Sequence, residues 1–225
     1  MEYKKKGKIS VSMMCEDLVH LKEDILLFEK MGIEYLHIDV MDGKFVPNYG
    51  LVTDYIRGLR ELTNIPLDLH LMIESPEEKL KWFHIQPTDL VTLHYESTPH
   101  IQRALEKAKQ YGCKVNLAIN PGTPICFVEE LLDDIDGVTM LTVNPGFAGQ
   151  KIVKNSFEKM KKLKQYLEKR GYQDMEVEVD GNISFENAEK LHSLGAAIFV
   201  AGTSSVFKDD RELRHNIFKL RESIS

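Results

Sequence analysis

The stretch SMMCEDL, residues 12–18, contains the end of the first predicted β-strand and the residues after it, and it has no glycine. An open, doubly wound α/β sheet usually carries a glycine-rich turn at this place, between its first strand and its first helix. The lack of that turn favours the other common arrangement of alternating strands and helices, the closed (β/α)8 barrel. The rest of the chain agrees, because short apolar runs alternate with charged stretches of helical periodicity from end to end.

The apolar runs number eight, which is the strand count of such a barrel. The predicted strands are KISVSMM (8–14), YLHIDVM (35–41), PLDLHLM (66–72), DLVTLHY (89–95), KVNLAIN (114–120), GVTMLTVN (137–144), MEVEVDG (175–181) and AAIFVAG (196–202). The helical stretches include residues 16–32, 51–64, 100–112 and 155–171, and Asn155 in NSFEK is the predicted cap of the last of these. We therefore predict that residues 1–225 form a single α/β domain, a (β/α)8 TIM barrel.

Composition narrows the class of protein. The chain has 225 residues, 43% of them hydrophobic, and a formal net charge of -6. This acidity, with no basic stripe, predicts that the protein does not bind nucleic acid. No apolar run is long enough for a membrane span or a signal peptide. The three cysteines (Cys15, Cys113 and Cys126) are widely spaced and form neither a disulfide framework nor a metal knuckle, so we expect a cytoplasmic protein.

Polar side chains interrupt several of the predicted strands near their carboxyl ends, where barrel enzymes carry out their chemistry. His37 and Asp39 share one face of the second strand, His70 ends the third and Asp180 ends the seventh. Two imidazoles and two carboxylates at one mouth are a plausible ligand set for one divalent metal ion, which could be zinc, iron, manganese or cobalt.

Each of these groups also has a simpler structural interpretation. A single buried histidine is more often a hydrogen-bonded core residue than a ligand, and we expect this for His94. His37 with Asp39 alone would fit a structural ion pair as well as a metal site. His70 and Asp180 tip the balance, because buried charges must find partners. Five further ionisable residues are predicted to lie on the surface or to serve in packing: Asp68, His20, His84, His100 and His192.

Three glycine-bearing turns form a second group: NPGFAGQ (144–150), DGN (180–182) and AGTSS (201–205), after the sixth, seventh and eighth strands. Barrels commonly bind phosphate with the loops after strands seven and eight, through backbone N–H groups. Such a cradle would let an acidic protein hold an anion without lysine or arginine. The turn NPGTP (120–124), after the fifth strand, is predicted to be a structural rim rather than a ligand contact.

A metal beside two carboxylates, with a phosphate cradle across the mouth, suggests chemistry on a phosphorylated sugar. We expect Asp39 and Asp180, placed on strands from opposite sides of the barrel, to address the two faces of a flat intermediate. One would take the proton next to a ketone, and the other would return a proton from the far side and so invert that carbon.

Several blocks resemble the ribulose-phosphate 3-epimerase family, and together they span about residues 9 to 207. The blocks are HIDVMDGKFVPN, PLDLHLM, NPGTP, TVNPGFAGQ, EVDGNIS and VAGTSSVF. The resemblance implies a ribulose-phosphate-binding barrel that epimerises ketose phosphates at carbon 3, with a metal on His37, Asp39, His70 and Asp180. It implies that Asp39 accepts the proton, that Asp180 donates it, and that the protein is a homo-oligomer. The substrate contacts it implies, besides His37, His70 and Asp180, are Ser12, Gly146, Phe147, Ala148, Gly149, Gly181, Asn182, Gly202 and Thr203.

Some positions depart from the commonest family pattern. Cys15 ends MMC, Ala148 replaces a glycine in the phosphate loop, Asn182 replaces the second glycine of DGG, and Leu141 stands where a methionine is frequent. The changes at Cys15, Ala148 and Asn182 resemble the allulose-6-phosphate 3-epimerase branch, so the substrate could be a five-carbon or a six-carbon ketose phosphate. Two other functions are weighed: a non-catalytic phospho-sugar-binding barrel, and a metal-free lyase, for which only Lys44 and Lys114 are candidate lysines.

Overall fold

Parallel strands pair in chain order and the last pairs with the first, so that eight strands close into a barrel. The computed structural model describes residues 6–208 and 212–225. Residues 1–5 and 209–211 of the predicted domain lie outside the described residues. The strands are β1 Lys8–Ser12, β2 Tyr35–Met41, β3 Leu67–Met72, β4 Leu90–His94, β5 Lys114–Ile119, β6 Gly137–Leu141, β7 Glu176–Asp180 and β8 Ile198–Ala201. The predicted barrel is confirmed, and each observed strand lies within the predicted run.

Helices surround the barrel, although two connections differ from the ideal repeat. The α-helices are α1 Leu21–Lys30, α2 Thr53–Leu62, α3 Ile101–Lys109, α4 Ser156–Lys169, α5 Phe185–Ser193 and α6 Leu213–Ser223. In the described chain, the connections after β3 and β5 contain 3₁₀ helices instead, at Pro76–Glu78, Leu80–Trp82 and Ile125–Asp134. Asn155 precedes α4, but its side chain makes no capping hydrogen bond, so the prediction of a side-chain cap is wrong.

The strands are buried on both faces, which is why they read as continuous apolar runs rather than alternating ones. The outward face of each strand packs against the helices through aliphatic residues such as Ile38 and Leu69, which are fully buried. The inward face is polar over much of its depth. Three apolar residues pack together at the closed end of the barrel: Tyr35, Leu90 and Ile198. The buried polar residues of the interior are Ser10, Asp68, Thr92, Asn116, Thr139 and Glu178.

These interior polar groups satisfy one another. Ser10 Oγ donates to Asp68 Oδ2 over 2.8 Å, and Thr139 Oγ1 donates to Glu178 Oε2 over 2.7 Å. Asn116 Nδ2 in turn donates to Thr139 Oγ1 over 3.2 Å. Because buried polar atoms are costly without partners, this connected network is what allows hydrophilic residues to fill the barrel beneath its mouth.

Candidate active site

The mouth of the barrel gathers the side chains that were predicted as metal ligands. His37 and Asp39 come from β2, His70 from β3 and Asp180 from the end of β7. Each offers one ligand-type atom, and these four atoms lie within 4.8 Å of one another. His37 and His70 are fully buried, whereas the Asp180 side chain keeps 17% of its surface exposed. The strand ends thus bring together residues that are up to 143 positions apart in the chain.

The nitrogen and oxygen atoms of this cluster lie within 3.2 to 3.9 Å of one another across the histidine–carboxylate pairs. His37 Nε2 lies 3.3 Å and His70 Nδ1 lies 3.2 Å from Asp39 Oδ1. The same two nitrogens lie 3.9 Å and 3.5 Å from Asp180 Oδ2. His37 Nε2 is buried and has no aligned hydrogen-bond partner among the described residues. A buried imidazole nitrogen that faces two carboxylates without a hydrogen bond fits a divalent cation, so the donor set passes this test.

Strand β2 does not lie opposite β7, contrary to our expectation. In the closed order of strands, β8 and β1 separate the two. Asp39 and Asp180 nevertheless reach the same cleft, because both side chains point inward at the upper end of the barrel. The two carboxyl groups can therefore face a substrate from two directions only through the way their side chains extend over the mouth. The strands that carry them do not lie on opposite sides of the barrel.

The two carboxyl groups are electrostatically different. Burial works to raise the pKa of Asp39, but the charge on His37 and the close contacts with His37 and His70 outweigh it, so the pKa lies well below its usual range. Burial also raises the pKa of Asp180, and the negative charge of Asp39 adds to that effect, against the opposing charges of His37 and His70. Asp39 is the ionised member of the pair, and Asp180 is the one that favours its protonated form.

Behind the two histidines lie residues that the sequence did not single out. Asp68, predicted to be a surface or packing residue, is fully buried and its Oδ2 lies 2.5 Å from His37 Nδ1. His94 is buried as predicted, yet its Nε2 lies 2.8 Å from His70 Nε2. Asp68 could have been recognised, since it stands two residues before His70 and so shares the inward face of β3. Histidine ligands commonly use their second nitrogen in such contacts.

A cleft leads from the two carboxylates to the glycine-bearing loops. Of the residues predicted to contact substrate, it is lined by Ser12, Asp180, residues 146–149, Gly181, Asn182, Gly202 and Thr203. His37 and His70 lie beneath and are not among the lining residues. In the described chain, no lysine or arginine lines the cleft, and Lys44 and Lys114 are both exposed elsewhere.

The geometry of these loops suits an anion held by the backbone. Gly146 and Gly181 both have φ of +111°, a region that residues with a Cβ rarely adopt. Among the described residues, the backbone N–H groups of Gly181, Asn182 and Gly202 have no acceptor in the protein. Free N–H groups at the rim of a barrel form the kind of concave anion site that needs no basic side chain.

The side chain of Asn182 is held by hydrogen bonds within the protein. The residue adopts the left-handed conformation, with φ of +51°, which asparagine tolerates better than most residues. Its amide does not point free into the cleft, because Nδ2 donates to Gln150 O over 2.8 Å and to Ser204 Oγ over 3.2 Å. Asn187 Nδ2 in turn donates to Asn182 Oδ1 over 3.1 Å. The side chain thus ties together the loops after β6, β7 and β8.

The closed barrel and the pair of unlike carboxyl groups at its mouth define the class of protein, a (β/α)8-barrel enzyme. The chain belongs to the ribulose-phosphate 3 epimerase family, whose sequence profile matches residues 8–207. The resemblance inferred from the sequence blocks is thereby confirmed.

Known relatives cover nearly the whole chain. It is 37% identical over 205 residues to the ribulose-phosphate 3-epimerase of Bacillus subtilis (strain 168). The alignment covers 91% of this chain and 94% of the Bacillus enzyme. The chain is 35% identical over 216 residues to the ribulose-phosphate 3-epimerase of Methanocaldococcus jannaschii, with 96% and 90% covered. The enzyme of the same name from Escherichia coli (strain K12) is 30% identical over 218 residues, covering 96% of each chain.

Solved structures of lower sequence identity share the fold. The 3-hexulose-6-phosphate synthase from Salmonella typhimurium superposes with a TM-score of 0.69 at 15% identity, covering 96% of this chain and 98% of that one. KGPDC from Streptococcus mutans also gives a TM-score of 0.69, at 13% identity and with 98% of each chain covered. Among the described residues, no helix combines the length and apolar character needed to span a bilayer.

Proposed function

We propose that the protein is a metal-dependent ketose-phosphate 3-epimerase, an isomerase that interconverts D-ribulose 5-phosphate and D-xylulose 5-phosphate. The observation that carries the proposal is the meeting of Asp39 and Asp180 at one cleft with pKa values shifted in opposite directions. An epimerase that works with two groups needs one base and one acid at the same time. The names of the relatives supply the substrate class.

Asp39 and Asp180 would share the proton transfers. The ionised Asp39 removes the proton at carbon 3, and the electron pair of that C–H bond moves toward the ketone to give a planar enediolate. Asp180 then donates its proton to carbon 3 from the other face, which inverts that centre. In the reverse reaction the two carboxyl groups exchange these roles. Ser12 Oγ lies 3.3 Å from Asp39 Oδ2 as a hydrogen-bond donor and keeps that carboxylate turned toward the cleft.

One divalent metal ion per subunit would be held by His37, Asp39, His70 and Asp180. Zinc, iron, manganese and cobalt all suit two imidazoles with two carboxylates. When bound, the ion would polarise the ketone oxygen and favour the charge that develops on it. The support in this structure is the fully buried His37 Nε2, which faces the two carboxylates without a hydrogen bond.

The phosphate of the substrate would lie on the loops after β6, β7 and β8. The free N–H groups of Gly181, Asn182 and Gly202 support this position. So do Thr203 and residues 146–149, which line the same cleft as the carboxylates. A substrate whose phosphate and carbon 3 occupy one cleft must bridge from the loops to Asp39 and Asp180.

A six-carbon substrate, allulose 6-phosphate with fructose 6-phosphate as its epimer, is the second candidate. Cys15 and Asn182, two of the positions that resemble the hexulose branch, both line the cleft. The distinguishing experiment compares kcat/KM for ribulose 5-phosphate and allulose 6-phosphate on protein loaded with one defined metal. A higher value for ribulose 5-phosphate supports the five-carbon assignment, and the reverse order replaces it.

The test of the mechanism is proton exchange in deuterium oxide with Asp180→Asn and Asp39→Asn. Interconversion should fall by about 100- to 10,000-fold in each variant, the usual contribution of a general acid or base. Asp180→Asn should still exchange the carbon-3 proton of ribulose 5-phosphate, because Asp39 remains, while Asp39→Asn should retain exchange only with xylulose 5-phosphate. Asp54→Asn, at an exposed position on α2, is the matched control.

The outcomes separate this mechanism from its rivals. Interconversion at the wild-type rate in Asp180→Asn would defeat the two-carboxylate mechanism. The alternative, a non-catalytic phospho-sugar-binding barrel, requires that metal-loaded wild-type protein binds the sugar phosphate without turnover. Binding of Zn²⁺ and of inorganic phosphate is measured for each variant, so that loss of a ligand is not mistaken for loss of an acid or base.

A homo-oligomer in the cytoplasm is the setting that we propose for this activity. Family membership supports the oligomer, and the three free cysteines are consistent with a reducing compartment. Light scattering coupled to size-exclusion chromatography measures the number of subunits directly.

A further inference from the structure

We propose that His94 and Glu96 are positioning residues that select one tautomer of His70 and so direct its Nδ1 lone pair into the donor cluster. The inference concerns the metal site of the proposed function and rests on that site. The inference gives His94, which the sequence predicts to be a core residue, a role in orienting His70. It also gives the NPGTP loop (120–124) a role in holding Glu96.

The three side chains form a line that leads outward from the mouth of the barrel. His70 Nε2 lies 2.8 Å from His94 Nε2, and His94 Nδ1 lies 3.4 Å from Glu96 Oε2. The two imidazole rings stack with centroids 5.0 Å apart and an angle of 22° between their planes. Both rings are fully buried, whereas the Glu96 side chain keeps 26% of its surface exposed.

Glu96 determines the direction of the hydrogen bonds. Burial works to raise its pKa, but hydrogen bonds from His94, Thr123 and Asn120 outweigh that effect and lower the pKa to about 2. An ionised carboxylate can only accept, so the proton of the bond belongs to His94 Nδ1. His94 is fully buried beside a second imidazole, and burial disfavours a charged ring, so His94 is taken as the neutral imidazole. A neutral imidazole with a proton on Nδ1 presents a lone pair at Nε2.

The consequence for His70 follows from the shared contact. Two ring nitrogens 2.8 Å apart need one proton between them. Because His94 Nε2 is the acceptor, His70 Nε2 is the donor, and a neutral His70 is left with its lone pair on Nδ1. That atom faces Asp39 Oδ1 at 3.2 Å and Asp180 Oδ2 at 3.5 Å. A lone pair directed at two carboxylate oxygens is favourable only with a cation between them.

The NPGTP loop holds Glu96 in place. Asn120 N–H donates to Glu96 Oε1 over 3.1 Å, and the hydroxyl of Thr123 donates to the same oxygen. Lys159 Nζ supports the loop from α4, donating to Asn120 O over 2.6 Å and to Pro121 O over 3.2 Å. Oε1 is thus occupied by two donors, and Oε2 is left for His94.

This arrangement makes Glu96→Gln a sharp test. The amide oxygen of glutamine must take the Oε1 position, since two donors meet there, and its NH2 group then faces His94 Nδ1. His94 would accept at Nδ1 and donate from Nε2, so His70 would carry its proton on Nδ1, the atom that points into the donor cluster. We expect the Zn²⁺ dissociation constant to rise by about 10- to 100-fold, as for other residues that orient metal-bound histidines.

The experiment measures the ring-nitrogen chemical shifts of 15N-histidine-labelled protein by two-bond 1H–15N correlation, together with Zn²⁺ affinity by chelator competition. Wild-type protein should show His70 with its proton on Nε2, and Glu96→Gln should reverse this and bind Zn²⁺ more weakly. Glu77→Gln is the matched control, because Glu77 accepts from the Thr98 hydroxyl over 2.9 Å and contacts no histidine in the described chain.

A second pair of variants keeps the inference testable if Glu96→Gln folds poorly. His94→Gln can place an amide oxygen opposite His70 Nε2 and should retain Zn²⁺ affinity within a few-fold, whereas His94→Leu cannot accept and should not. The inference is overturned if His70 carries its proton on Nδ1 in wild-type protein, or if Glu96→Gln weakens Zn²⁺ binding without a change of tautomer. Turnover of ribulose 5-phosphate is assayed separately, so a failure of the proposed function leaves the tautomer result intact.

Discussion

Asp68 on β3 holds His37 on β2 through a contact of 2.5 Å between Oδ2 and Nδ1, in a place where neither side chain is exposed. Burial opposes a charged imidazole, yet the negative charges of Asp68 and Asp39 raise the pKa of His37 well above its usual value. The contact orients the ring so that Nε2 points to the donor cluster. Asp68 therefore orients His37 through its second ring nitrogen, as we propose that His94 orients His70.

Asp68→Asn should weaken Zn²⁺ binding by about 10- to 100-fold, because it removes the negative charge behind His37 and leaves a neutral amide as a weaker acceptor for the Nδ1 proton. Chelator competition measures the change. The control is Asp136→Asn, since Asp136 lies directly before β6 and accepts from Val115 N–H over 2.8 Å. Unchanged Zn²⁺ affinity in a folded Asp68→Asn variant would contradict the orienting role.

Glu178→Gln should unfold at nearly the same urea concentration as wild type, whereas Glu178→Ala should be clearly less stable. Burial and the charge of Asp68 raise the pKa of Glu178 well above its usual range, so the group carries a proton. Glu178 Oε1 and Asp68 Oδ1 are both buried with no hydrogen-bond partner among the described residues, and a proton shared between them would satisfy both. Glutamine can replace the donor, but alanine leaves Asp68 Oδ1 unpaired at a cost of about 1–3 kcal/mol. Equal losses in the two variants would show that Glu178 is ionised.

Asn182→Gly should raise KM for the sugar phosphate a few-fold and leave kcat nearly unchanged, because the bridge between the three loops is lost while the carboxylates stay in place. Asn182→Ala loses the same bridge and, unlike the glycine variant, keeps a Cβ at a φ of +51°. It should therefore be less stable than Asn182→Gly by about 1 kcal/mol. Steady-state kinetics and urea unfolding provide the two readouts.

Asn155→Ala is the control for these variants, since the Asn155 side chain makes no capping hydrogen bond. A fall in kcat of Asn182→Gly that matched the rise in KM would argue that Asn182 acts on the reacting carbon and not on the phosphate loops.

Asp42→Asn should be less stable than wild type at neutral pH and should lose that deficit in acid. Burial raises the pKa of Asp42, but hydrogen bonds from Phe45, Lys44 and Glu74 N–H groups and from Lys79 lower it to about 2. A pKa below its unfolded value contributes stability above about pH 4 that is lost as the pH falls toward 2. After allowance for solvent screening, the contribution is about 1–2 kcal/mol.

Urea unfolding of both proteins between pH 7 and pH 3 checks this sign. The gap in the free energy of unfolding between wild type and Asp42→Asn should narrow as the pH falls. A gap that is constant across this range would mean that the charge of Asp42 is not what holds the loop.

Removal of the metal by a chelator should abolish turnover and lower the thermal midpoint, and addition of Zn²⁺ should restore both. A ligand at 100 times its dissociation constant contributes about 2.7 kcal/mol to the folded state. The double variant His37→Ala/His70→Ala should show no shift of its midpoint on addition of Zn²⁺. A wild-type midpoint that is unaffected by both chelator and Zn²⁺ would contradict a bound ion at this site.

The barrel was predictable because its signal is local. Runs such as YLHIDVM and PLDLHLM are buried on both faces and are confirmed as β2 and β3. Helices were harder to predict, since the connections after β3 and β5 form 3₁₀ helices in the described chain. The stretch ICFVEELLDD, Ile125–Asp134, carries apolar residues at helical spacing but is wound more tightly. Tertiary packing outweighs local preference there.

The meeting of four ionisable side chains at the barrel mouth was predictable, but the order of the strands that carry them and the residues behind them were not. His37, Asp39, His70 and Asp180 stand out because ionisable residues at the ends of apolar strands need partners, and the structure brings them together. Asp68 and Glu178 were passed over because interior polar residues of a barrel and surface residues of a strand look alike in one sequence. Only the closure of the sheet shows that they share one buried network.

The sequence by itself determined the alternation of strands and helices, the inward position of the ligand-type side chains and the family to which the chain belongs, because each depends on residue type and spacing along the backbone. The tertiary structure decided which groups touch. It separated β2 from β7 by only two strands, turned the amide of Asn182 from the cleft to Gln150 and Ser204, and set His94 and Glu96 behind His70. The physical reason is that hydrogen bonds and buried charges act over a few ångströms, between atoms that only the closed barrel brings near.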